Sequence, residues 1–255
     1  MNGDWLLQFG RDGELAALLV AGHAVASFVA QSPWMSSARR GRRWLPLQLL
    51  AVAAIPGAAL LPLMSMDILS VWAALSVVHV AINHAFATAA RRRAWLRPYA
   101  LTAQAAHIPV LAAAWAFVSS VGHGAPFLAL PDVRHEEITR AAVVAAAYAV
   151  NFSAAALVVG VVLRVYRLGI TGRGMPEAES DSVARGRIIG VLERMIVLTL
   201  ALIGQWGAVG LVVAAKSIAR FDALKDRDFG EYYLIGTLAS LLIASGSAAL
   251  VNLLA

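Results

Sequence analysis

The chain has 255 residues, of which 60% are hydrophobic and only 14% charged, with a formal net charge of +6. Soluble domains carry about a quarter charged residues, so this composition excludes an ordinary soluble domain, and its apolar content excludes disorder. The absence of cysteine excludes disulfides, thiolate metal sites and cysteine nucleophiles.

A bilayer crossing takes about 20 mostly apolar residues, because a helix rises about 1.5 Å per residue through about 30 Å of hydrocarbon. Seven stretches meet that length: 14–34, 45–65, 68–89, 99–120, 141–163, 194–215 and 232–254. They lack the two-residue alternation of a membrane β-strand, so each is read as a helix that satisfies its own backbone. The expected fold is an all-α polytopic transmembrane bundle of about seven helices with no soluble domain. Met1 to Glu14 is acidic rather than basic, so the first apolar run is read as a retained helix and not a signal peptide. Residues 1–164 are expected to form a five-helix transmembrane part, 165–187 a Gly-rich cytoplasmic linker, and 188–255 a two-helix transmembrane part with a polar amphipathic loop.

Fourteen of the 21 Lys and Arg residues fall in one alternate set of loops, in clusters at 39–43, 91–97 and 164–194, and seven in the other. The positive-inside rule then predicts an N-terminus outside and a C-terminus in the cytoplasm. This reading puts loop 216–231 outside, although it carries four of the seven minority cations. The Arg clusters are a topology signal, and nucleic-acid binding is not expected of segments so short and so close to lipid. Trp5, Trp34, Trp44, Trp95 and Tyr99 fall at the predicted boundaries, as an aromatic belt does.

Ionisable residues within crossings are costly and mark candidate sites. The first helix carries His23, Ser27 and Gln31 at four-residue spacing, which places them on one face. The third carries His79 and Asn83, and the fourth Gln104 and His107. Counted from the cytoplasmic helix ends, the three histidines lie about 14–15 Å deep, and Ser27, Asn83 and Gln104 about 9 Å deep. An imidazole tier near the midplane thus sits above a neutral polar tier. His84 points about 100° away from Asn83 and is read as interfacial. The plain alternative to a site is a set of interhelical hydrogen bonds, worth about 0.6 kcal/mol each in membranes.

Gly22-His23-Ala24-Val25-Ala26-Ser27-Phe28-Val29-Ala30-Gln31, His79-Val80-Ala81-Ile82-Asn83 and Ala103-Gln104-Ala105-Ala106-His107 together resemble an uncharacterised bacterial multi-pass inner-membrane family, a domain of unknown function. Its blocks read His-x3-Asp-Phe-x2-Gln, His-x3-Asp and Asp-Gln-x2-His. The stretches 189–194, 214–221 and 231–238 resemble an extended form of the same family. The resemblance implies a multi-pass inner-membrane protein and carries no established activity. Its three acidic positions are Ser27, Asn83 and Ala103 here, so no carboxylate stands beside the imidazoles. Three histidines can still hold zinc with one open position.

Toward the C-terminus, Glu193-Arg194 reads as a local ion pair or snorkelling anchor at the mouth of the sixth helix. Lys216 and Arg220 lie on an amphipathic stretch with Ile218, Phe221 and Leu224, suited to the membrane surface or to anionic lipid, with Glu231 as a partner for one cation. Gly204, Gly207 and Gly210 in 194–215, and Gly236, Ser240 and Ala244 in 232–254, are small residues that favour close packing within the protein, against a second copy or against other membrane subunits. Nucleotide-binding, zinc-protease and serine-hydrolase motifs are all missing. The leading expectation is a non-enzymatic accessory or scaffold subunit of a membrane assembly. One alternative is a transporter or ion-conducting protein using the polar layer. The other is a metal-binding membrane protein or degenerate metalloenzyme, with a metal on His23, His79 and His107.

Overall fold

A computed structural model describes residues 10–30, 44–92, 99–121, 135–171 and 180–254. These are all-helical, without a strand among the described residues. Four helices are long and apolar enough to cross a membrane: Asp12–Val29, Met66–Phe86, Glu136–Tyr166 and Arg227–Leu254. The chain falls into two compact units, residues 1–150 with 253–255, and residues 151–252.

The first unit holds α1 (Arg11–Ala24, ending in a π turn over Val25–Ala30), α2 (Trp44–Leu60), α3 (Met66–Arg92), α4 (Tyr99–Val121) and α5 (His135–Ala149). Helix α1 is the centre: Leu15, Leu18, Leu19, Ala21, Ala24 and Ala26 are all buried. It packs most extensively on α5 and then on α2, with α4 beyond. Its start is tied to α4, where Trp115 Nε1 donates to Asp12 O (2.9 Å) and Ser119 Oγ to Asp12 Oδ1 (2.8 Å). Gly22 is required by the crossing of α1 and α2, because a Cβ there would stand 2.8 Å from Pro56 Cα. Pro56 has no N–H to continue the α2 ladder, and beside it Trp72 Nε1 of α3 donates to Ala53 O (3.0 Å). Small residues and a proline thus let three helix backbones close around the face that carries His23.

The second unit, residues 151–252, starts within the π turn Val150–Ala154 and holds α6 (Ala155–Thr171), α7 (Ser180–Leu202), α8 (Trp206–Ala219) and all but the last two residues of α9 (Arg227–Leu254). Helices α6 and α9 run antiparallel in one register: Tyr166 Oη donates to Glu231 Oε2 (2.7 Å), Leu163 lies against Gly236, and Asn151 Nδ2 donates to Ser247 Oγ (2.9 Å).

The stretch 194–215, expected as one crossing, is a helical hairpin. A continuous helix would set Glu193 and Lys216 about 34 Å apart; instead Lys216 Nζ donates to Glu193 Oε2 at 2.6 Å. The turn is Ile203-Gly204-Gln205. Gly204 has φ +74°, its N–H donates to Ala201 O (3.1 Å), and Gln205 N–H donates to Leu200 O (2.8 Å). This is a Schellman cap, which closes the carbonyls of α7 before α8 starts. The arms meet through Val197 and Leu200 on one and Val209 and Val212 on the other, with Ala244 and Leu241 of α9 across them.

Two sequence expectations change as a result. Loop 216–231 follows a hairpin that returns to its starting end, and Glu231 touches Tyr166, so the loop lies at the α6 C-terminal end of this unit, not at the opposite one. Gly207 and Gly210 face open space, so they are not the packing surface of the hairpin; Thr237, Ser240, Leu241 and Ala244 supply that surface from α9. Replacing Gly204 by alanine should destabilise the protein by about 1 kcal/mol, because a side chain is disfavoured at positive φ. A lower thermal unfolding midpoint in detergent checks this, and an unchanged midpoint counts against the cap.

Candidate functional site

Three helices of the first unit bring His23 (α1), His79 (α3) and His107 (α4) together. The ring centroids stand 5.0 Å (His23–His79), 4.8 Å (His23–His107) and 4.3 Å (His79–His107) apart. One ring nitrogen from each lies within 4.8 Å of the other two, so the group could hold a metal ion. His79 and His107 are 5% and 3% exposed, and His23 is half-buried. Nitrogens bound tetrahedrally at 2.0–2.1 Å stand about 3.3 Å apart, so the three rings would draw closer together to share one ion.

Neighbouring groups orient two of the rings. His107 Nδ1 donates to Ala103 O, one turn back on α4, at 2.6 Å, which leaves Nε2 as the nitrogen with the lone pair. That Nε2 is buried and has no hydrogen-bond partner. His23 Nε2 donates to Gln104 Oε1 at 2.9 Å, with Ser27 Oγ at 3.4 Å from the same nitrogen. His23 Nδ1 is then the nitrogen left with a lone pair. A hydrogen bond to the non-ligating imidazole nitrogen is the usual way a metal-binding histidine is held in its tautomer. A cavity of about 30 Å³ adjoins the three rings, bordered by Leu19, Val52, Pro56, Trp72 and Ser76 among others. It has room for a water or an ion, not for an organic substrate.

The polar tier is only partly part of this cluster. Ser27 and Gln104 touch His23. Asn83 does not join them, and its Nδ2 is buried without a hydrogen-bond partner. His84 is exposed, and Gln31 lies outside the described residues. No Asp or Glu belongs to the cluster among the described residues.

In the second unit, Glu193 pairs with Lys216 rather than with its neighbour Arg194. Arg194 is no snorkelling anchor: it is 4% exposed, and its Nε donates to Asn151 O (2.9 Å), a carbonyl of the π turn. Glu231 takes its hydrogen bonds from Tyr166 and from Arg227 Nε (3.0 Å), not from Lys216 or Arg220. Arg220, Ile218 and Phe221 are exposed. Sequence reasoning passed over Asn151 and Thr237, both buried; a polar residue inside a predicted crossing was the available signal in each case. No protein-family model, curated protein or solved structure matches the chain.

Proposed function

We propose that this is an integral membrane protein that binds a transition-metal ion on His23, His79 and His107, in a holding or carrying role and not a hydrolytic one. The observation that carries this reading is that three helices each bring one imidazole, two of them buried, with a ring nitrogen of each within 4.8 Å of the other two. Three neutral imidazoles suit zinc, cobalt, nickel or copper, whereas magnesium and calcium need oxygen ligands that the cluster lacks. With no carboxylate in the cluster to act as general base, metal-assisted hydrolysis is not part of the proposal.

Protein purified in mild detergent without chelators should contain about one such ion per chain by elemental analysis. Cobalt(II) added to stripped protein should give the visible absorption of a nitrogen-rich, four-coordinate site. Absence of both signals at micromolar metal would overturn the reading.

The resemblance noted above points to the bacterial inner membrane, and the hairpin supports a revised topology there. The crossings are α1, α2, α3, α4, α5 with α6, and α9, while the stretch 193–216 enters and returns. Loop 216–231 then joins the linker on one side, and eighteen of the 21 Lys and Arg lie on that side, leaving Arg11, Arg134 and Arg140 on the other. The positive-inside bias is stronger than in the seven-crossing reading, and both chain ends lie outside.

A further inference from the structure

The imidazoles of His23, His79 and His107 are neutral ligands, and the groups behind two of them are neutral as well. His107 Nδ1 donates to the Ala103 carbonyl and His23 Nε2 to the Gln104 carboxamide, with the Ser27 hydroxyl alongside. Histidines that bind a divalent metal often lean on a carboxylate at this place, which supplies charge as well as orientation. Here no Asp or Glu belongs to the cluster among the described residues. Helices α2 and α4 carry no acid at all. The nearest acids on α1 and α3, Glu14 and Asp67, stand nine and twelve residues from the histidine of the same helix, about 14 and 18 Å along the axis.

The cavity beside the rings adds no counter-charge. Its walls include Leu19, Val52, Pro56, Leu75 and Val110, and its polar groups besides the imidazoles are the Trp72 indole and the Ser76 hydroxyl. Both of those protons are spent, Trp72 Nε1 on Ala53 O (3.0 Å) and Ser76 Oγ on Trp72 O (2.9 Å). An ion on this cluster therefore meets no opposite charge from the chain, in apolar surroundings. The cost of taking an ion out of water rises with the square of its charge, so a divalent ion loses about four times what a monovalent one does. Sodium and potassium are held by oxygens, and the cluster offers nitrogen. What fits is a soft, closed-shell monovalent ion, which accepts imidazole nitrogen and is satisfied by three ligands, whereas zinc calls for a fourth.

Resting on the metal-binding reading above, we propose that the ion held by His23, His79 and His107 is monovalent copper, Cu(I), in preference to any divalent metal.

Untagged full-length protein in mild detergent, kept free of oxygen, is titrated with Cu(I) supplied as its bicinchoninate complex, and separately with Zn(II) against a chromophoric zinc chelator. One Cu(I) per chain should leave the chelator, with an affinity at least about a hundredfold above that for zinc, and excess zinc should not displace it. X-ray absorption of the copper form should show nitrogen neighbours only. Gln104→Glu, equal in size and carrying a carboxylate against His23, tests the cause: it should raise zinc affinity relative to Cu(I) about tenfold or more. The comparison in the wild-type chain needs no variant to fold. Zinc bound as tightly as Cu(I), or more tightly, would overturn the proposal and leave the metal-binding reading standing, whereas binding of neither ion would overturn both. A selectivity unchanged in Gln104→Glu would overturn the charge argument that selects Cu(I).

Discussion

His107→Ala should abolish stoichiometric metal binding, with apparent affinity falling at least about a hundredfold while the helical circular dichroism is retained. The expectation rests on count and on preorganisation. Three protein ligands with one open position form a stable site, and two leave the ion largely solvated. His107 is also the ring whose tautomer is most firmly set, by its 2.6 Å bond to Ala103 O on the same helix. Gln104→Leu should act more mildly, within the tenfold to hundredfold range of outer-shell partners, because it frees His23 to rotate without deleting a ligand. Ser27→Ala, at 3.4 Å from the same nitrogen, should change affinity only a few-fold. Gly22→Ala tests the frame instead of the ligands: its Cβ would meet Pro56 Cα at 2.8 Å, so α1 must shift and carry His23 with it. Competition against a chromophoric chelator ranks all four variants. Wild-type affinity in His107→Ala would remove the metal reading outright.

The second large effect is all-or-none. The chain has no cysteine, so single cysteines can be introduced without background. Asp222→Cys, on an exposed residue between the hairpin and α9, should react with a membrane-impermeant maleimide from the same side as Glu177→Cys in the linker. Asn252→Cys, near the end of α9, should react only from the other side. The physical basis is the α6–α9 register, in which Tyr166 meets Glu231 at one end and Asn151 meets Ser247 at the other. If positions 177 and 222 label from opposite sides, the stretch 193–216 crosses the membrane and the hairpin is not its native form there.

Apolar runs of crossing length, and the all-helical class, were legible in the residues themselves, because partition into lipid is a local sum over side chains. The grouping of His23, His79 and His107 was legible too, since helical rise converts residue counts along the three predicted helices into comparable positions, and the three rings do meet. Rotation about each helix axis was less legible: the close approach of Gly22 to Pro56 fixes the face of α1 next to His23, and Asn83, on the same helix as His79, does not join the cluster. Hydropathy could not distinguish a crossing from a hairpin over 194–215, because both bury the same Leu, Ile, Val and Ala residues. That choice came from distant pairings, Lys216 with Glu193 and Ala244 across Val197 and Val209, acting on a single permissive glycine at 204. Composition decided where the chain can live. Contacts between residues far apart in sequence decided that 194–215 folds back on itself and which polar groups meet, because those energies exist only once the helices are packed.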